Sequence, residues 1–279
     1  MIKIVADTTS CIPTADAEKL GIGYLPQIIV FGNDSYRDDT ELTAERFLSL
    51  LKASTTLPKT AAPAPALYAP IYEEFSKNGN TVLVLCPSKE VSGTFRSATV
   101  AAQDFPDADI RVIDTSTVGP ALGTLVRSAL EWAEQGVDAD TIVERIIEKG
   151  KSVRIYFYVE TLEYLYKGGR IGSASALMGS LLQVKPILQF SDGKIQPFET
   201  QRTRKRALNR LAEIIKSECP KSAMSNLAIL ESDALQSATE LSEDFKAHFG
   251  FATIDIFNLP PGIVVHAGPG VIAASFFLN

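Results

Sequence analysis

Apolar and polar positions alternate in blocks along the chain, and the block length changes between its two halves. IKIVAD (2–7), YLPQIIVF (24–31), TVLVLC (81–86) and DIRVID (109–114) are short runs rich in β-branched residues, and they predict strands. The third is apolar almost throughout, as suits a strand in a parallel sheet covered on both faces. Between the strands the apolar period lengthens to that of a helix. AERFLSLLKA (44–53), ALGTLVRSALEWAEQG (121–136) and DADTIVERIIEKG (138–150) each gather their apolar side chains on one face. Gly136 and Gly150 are suited to stop the last two. Strands alternating with helices predict an open parallel α/β sheet in the first half.

After RIYFYV (154–159) the pattern changes. KPILQFSDGKIQPF (185–198) predicts a hairpin around a Ser-Asp-Gly turn, and RTRKRALNRLAEIIKSE (202–218) a helix. NLAILES (226–232) and TIDIFNL (253–259) flank a further helix, ALQSATELSEDFKAHFG. The expectation is an α/β chain of two domains. Residues 1–160 would form the N-terminal open parallel α/β domain and 161–279 a C-terminal mixed α+β domain. PKTAAPAPALYAP (58–70) is so rich in proline that a loop is expected there. GIVVH (262–266) reads as a β-branched strand that ends at His266, on the lip of a Gly-Pro-Gly turn.

Composition narrows the function classes. A net charge of −6 disfavours a nucleic-acid partner, which needs a basic surface to displace counterions. Three scattered cysteines form no CxxC and no disulfide framework, so a reducing cytoplasm is expected. MIKIVAD opens without a signal-peptide pattern, and no apolar run has membrane-helix length. With two histidines and no Cys/His cluster, no metal is expected.

Chemistry collects where strands end. Thr8-Thr9-Ser10, Ser88 to Thr94 and Thr115-Ser116-Thr117 each follow a strand. In open parallel sheets ligands sit at that edge. The same residue types also serve as N-caps, and the two roles share free N–H groups. Ser92-Gly93-Thr94 places hydroxyls beside a glycine, a small cradle for an oxyanion. It is neither GxxxxGK[ST] nor GxSxG. Two basic stretches stand apart: LEYLYKGGRIG (162–172), carrying Lys167 and Arg170, and RTRKR (202–206), with Arg202 at a helix start. Cations there oppose the helix dipole, which suits an anionic partner or a plain solvated face. His248, in DFKAHFG, reads as a surface residue.

These segments together resemble the DegV family of bacterial fatty-acid-binding proteins, in order and over essentially the whole chain. The matching segments are DTTSCIP (7–13), Thr60-Ala61-Ala62-Pro63, Ser92-Gly93-Thr94-Phe95, VIDTST (112–117), LEYLYKGGRI (162–171), KPIL (185–188) with RT (202–203), and HAGPG (266–270). LEYLYKGGRI is the most specific of them. The chain departs from the family pattern at Ala61 and Ala62, where Ser-Gln is usual, at Lys89 and Glu90, and at Ile12.

The resemblance implies a two-domain α/β protein with a lipid tunnel between the domains and no cofactor. It implies a long-chain fatty acid as ligand, its carboxylate held by Thr60, Ser92, Gly93 and a protonated or donating His266. Arg170 and Arg202 would face a kinase subunit that binds ATP and phosphorylates the carboxylate to an acyl phosphate. Delivery of such a ligand leaves room for transient contact with a membrane surface. On this reading the protein is the non-catalytic subunit of a kinase system. Two other classes stand beside it: a serine-dependent acyl hydrolase built on Ser92 and His266, and a binding protein for a phosphorylated small molecule at the basic corner.

Overall fold

A computed structural model of the chain describes residues 1–180 and 184–278. The chain divides into two compact units. The first comprises Met1–Thr43 and Pro58–Lys151, the second Ala44–Leu57 and Ser152–Asn279.

In the first unit, β1 (Ile2–Asp7) leads through a 3-10 turn to α1 (Thr14–Lys19), β2 (Gly23–Leu25), β3 (Ile28–Phe31) and β4 (Asp34–Arg37). After α2 (Ala44–Ala53), which belongs to the second unit, come β5 (Lys59–Ala61), α3 (Pro65–Phe75), β6 (Thr81–Cys86), α4 (Thr94–Ala102), β7 (Ile110–Asp114), α5 (Pro120–Glu134) and α6 (Ala139–Lys151). The expected parallel sheet is present, in the order β2-β1-β6-β7. Val5, Val82 and Val84 face Tyr68 and Tyr72 of α3 in a closed core.

Two expectations in this unit are corrected. Residues 24–31 do not form one strand. Pro26 has no N–H to give a ladder, and the Gln27 N–H turns to Thr8 Oγ1 (3.1 Å) and Asp38 Oδ1 (2.8 Å). The chain therefore leaves the parallel sheet at Leu25 and enters a small antiparallel sheet, β4-β3-β5. Residues 58–70 are not a loop: they hold β5 and the start of α3. Pro65 opens that helix, where a missing N–H costs nothing.

In the second unit, β8 (Val153–Tyr158), α7 (Glu163–Lys167), the hairpin β9 (Lys185–Ser191) and β10 (Lys194–Gln201), α8 (Arg204–Glu218), β11 (Ala228–Glu231), α9 (Leu235–Phe249), β12 (Asp255–Asn258), α10 (Pro261–Ala267) and β13 (Ile272–Phe277) follow. The sheet order is β10-β9-β8-β13-β11-β12. Only β11 and β12 run parallel, so this sheet is mixed, as expected. Helices α8 and α9 bury Leu211, Ile215, Ala238 and Phe245 among Tyr158, Ile229 and Phe276.

The largest correction lies here. GIVVH is not a strand. Pro261 starts a helix at Pro260-Pro261, and Pro261, Gly262, Val264 and Val265 are all buried. Burial on nearly every side outweighs the low helix propensity of the β-branched residues. The strand of this region is β13, beyond the Gly-Pro-Gly turn.

Candidate functional site

In the first unit the end of β1 delivers Asp7 into the interior, where it is 1% exposed. Its Oδ1 accepts from the Thr9 N–H (3.0 Å) and the Thr9 hydroxyl. Its Oδ2 accepts from Gln27 Nε2 (2.7 Å) and Thr94 Oγ1 (2.8 Å). Burial is the largest influence on this carboxyl and raises its pKa, against the pull of those donors. Thr94, 2% exposed, opens α4 and also accepts from Gln27 Nε2 at 3.1 Å. Ser92 Oγ donates to Thr94 Oγ1 (3.1 Å) and accepts from the Thr94 N–H (3.2 Å). Ser92 is half-buried, so it is the outer end of a chain whose inner end is Asp7.

Two of the motif segments meet at this point. Thr60 pairs in register with Ile29, which sets the course of the following residues. A Cβ on Gly93 would stand 3.3 Å from Ala62 Cβ. Ser97 Oγ of α4 donates to the Pro63 carbonyl. The Thr60–Pro63 segment therefore lies against the start of α4. A Cβ at position 93 would press lightly on Ala62.

In the second unit the KGGR corner and the HAGPG turn converge. A Cβ on Gly168 would run into His266 Nδ1, and one on Gly268 would stand 2.5 Å from the Tyr164 ring. Arg170 Nη1 donates to the Gly168 carbonyl at 2.7 Å. Burial, with the Arg170 charge adding to it, pushes His266 down to about 4. Of the two forms expected, protonated or donating, this low basicity favours the donating one. His266 is neutral at physiological pH and can still donate through one ring nitrogen.

Glu160 organises the other motif residues of this unit. It pairs with Lys185 (3.0 Å) of KPIL and with Arg204 (2.8 Å) at the start of α8. Burial works against its ionisation, yet the Tyr158 hydroxyl, Lys185 and Arg204 hold it below the ordinary glutamate range. A Cβ on Gly270 would meet its Cγ at 2.6 Å. Arg202, Lys205 and Arg206 are exposed, and the side chain of Thr203 caps α8 by accepting from the Arg206 N–H.

The whole chain, residues 1–279, matches the family model described as "Uncharacterised protein, DegV family". A DegV domain-containing protein of Halalkalibacterium halodurans is 31% identical, the match covering 100% of this chain and 99% of the relative. The chain belongs to the DegV family. Solved structures agree. A fatty acid binding DegV family protein from Streptococcus agalactiae superposes with a TM-score of 0.91 at 31% identity, over 100% of this chain and 99% of the other. DegV of Bacillus subtilis, described as a fatty acid binding protein, gives 0.87 at 32% identity over 99% of each chain.

Within this DegV chain, reasoning from the sequence passed over Gln27 and Glu160, and gave Tyr164 no role beyond its place in LEYLYKGGRI. No spacing signal could have found Gln27, because its partners Asp7 and Thr94 lie far from it along the chain. Glu160 sits two residues before LEYLYKGGRI and could have been noticed as an acid beside a basic corner. Asp7 and Thr94 stood inside quoted motifs, but the motifs do not say that the two touch. No described helix is long and apolar enough to cross a membrane, and no metal-holding group of His, Cys, Asp and Glu occurs among the described residues.

Proposed function

We propose that the protein binds a long-chain fatty acid and presents its carboxylate to a separate, ATP-binding kinase subunit for phosphorylation to an acyl phosphate. The observation that carries the binding half is kinship, over the full chain, with DegV proteins described as fatty acid binding. In this reading Thr60, Ser92, Gly93 and His266 hold the carboxylate. Arg170 and Arg202 face the kinase.

The chemistry of these residues supports the division of labour. A buried methylene contributes about 0.8 kcal/mol, so ~15 of them offer roughly 12 kcal/mol before ordering costs. Affinity then comes from the tail, and the head group needs only hydrogen bonds. A neutral His266 donates without bringing a countercharge. The same low basicity argues against the hydrolase alternative. An imidazole that protonates only near 4 is a weak general base for Ser92 at neutral pH. The exposed Arg202, Lys205 and Arg206 form a basic strip on an acidic protein, as suits a partner that handles phosphate.

Mass spectrometry of the purified protein, native and then denatured, tests the reading. A non-covalent adduct with the mass of a long-chain fatty acid, released on denaturation, is the expected result. A bare protein that also refuses added oleate and palmitate would overturn it. The basic corner would then be tested with phosphorylated small molecules.

A further inference from the structure

The inner end of the Ser92 chain raises a question that ligand binding alone does not answer. Asp7 is an acid in the interior, and the titratable groups near enough to feel its charge are Cys11 from the turn after β1, Tyr24 of β2, Tyr68 of α3 and Cys86 of β6. None of these is a cation. Burial pushes both thiols and both phenols up, so they stay neutral. An uncompensated acid in such a place is costly.

The hydrogen bonds can be counted atom by atom. With Asp7 ionised, the Thr94 hydroxyl gives its proton to Asp7 Oδ2. Its two lone pairs take Gln27 Nε2 and the Ser92 hydroxyl. Ser92 Oγ accepts the Thr94 N–H on one lone pair and has one left. Ser92 therefore offers an acceptor outward and has no proton to give. An ionised carboxylate arriving there would meet a lone pair.

Two arrangements remove the conflict, and both hold one added proton. In one, the ligand is the carboxylic acid and its O–H donates to Ser92. In the other, Asp7 carries the proton, and the donors run Asp7 to Thr94, Thr94 to Ser92 and Ser92 to the ligand. The two interconvert when both hydroxyls exchange donor and acceptor roles.

Resting on the head-group reading above, we infer that Asp7 and the bound carboxylate share a single proton through Thr94 and Ser92, so that loading takes up one proton from solvent. The ligand enters as RCOO⁻, one O–H bond forms on either carboxyl, and the buffer supplies the proton. Asp7 and Thr94 are positioning residues that set which way the Ser92 hydroxyl points.

The test is isothermal titration of delipidated protein with oleate at pH 8.5, where free oleate is ionised, in buffers of different ionisation enthalpy. The slope of observed heat against buffer enthalpy counts protons. Wild type is expected to take up about one per ligand, and its Kd to rise about tenfold per pH unit above pH 8. Thr94→Val lets Ser92 donate directly, so oleate still binds while the uptake falls to near zero. Thr94→Ser restores it. Asp7→Asn also abolishes the uptake, and near-native thermal melts identify the folded variants. Oleate binding without uptake in wild type, or equal uptake in Thr94→Val, would overturn the shared proton and leave the fatty-acid reading standing. Failure of wild type to bind oleate would overturn both.

Discussion

His266 is held by what surrounds it rather than by its place in the sequence. Gly168 backs the ring so closely that a methyl group there would clash with Nδ1. Gly168→Ala is therefore expected to lower fatty-acid content in the purified protein as much as His266→Ala does, read by the same mass spectrometry. With Ser92 in its proposed role, Ser92→Ala is expected to remove one hydrogen bond to the head group, and a loss of about 1 kcal/mol weakens retention about fivefold. Protonation of His266 sets an acid limit on stability. The folded protein resists the proton until about 4, whereas the unfolded chain takes it up near 6.5. Stability is thus complete above pH 6.5 and falls as pH drops toward 4, at roughly 1.4 kcal/mol per unit for this one group. Urea unfolding at pH 7 and pH 4.5 should show a smaller difference in His266→Gln than in wild type.

At the scale of elements, glycines in the LEYLYKGGRIG segment have unequal duties. Gly172 has φ +54, and a Cβ there would strike the Ile195 carbonyl of β10. Gly169 has φ +70 and nothing within 4 Å. Gly169→Ala should cost about 1 kcal/mol from backbone strain alone. Gly172→Ala adds a clash with main chain that cannot swing aside, for about 1–3 kcal/mol on top. Thermal melts of the two variants decide the order. Most elements were legible because their periodicities are long and consistent: α5, α6, α8 and α9, and the strands β1, β6 and β7. The failures share a cause. At Pro26, Pro65 and Pro261 the residues next to the proline were read by composition. Whether a proline breaks a strand, opens a helix or sits in a loop depends on where its missing N–H falls.

Over the whole molecule, the basic residues divide by what neutralises them. Arg204 and Lys185 are tied to Glu160, and Arg210 to Glu199 and Glu213. Arg202 is exposed at the head of α8. On the proposed kinase reading, Arg202→Ala is expected to retain its fatty acid but to support several-fold slower phosphorylation of that acid. Equal rates for mutant and wild type would remove Arg202 from the partner surface. Added salt should slow the wild-type reaction more than that of the variant, since screening acts on exposed charge.

Sequence alone determined the α/β class, the parallel sheet of the first half, the mixed sheet of the second and membership of the DegV family. These depend on local periodicity and on short motifs kept in order, and neither needs distant residues to meet. Tertiary structure decided the rest. It turned GIVVH into a helix because the residues are buried on nearly every side. It brought Gly168 to His266, and Asp7 to Gln27 and Thr94. Hydrogen bonds and desolvation act over a few ångströms in space, so residues far apart in the chain acquire their chemistry only when the fold sets them side by side.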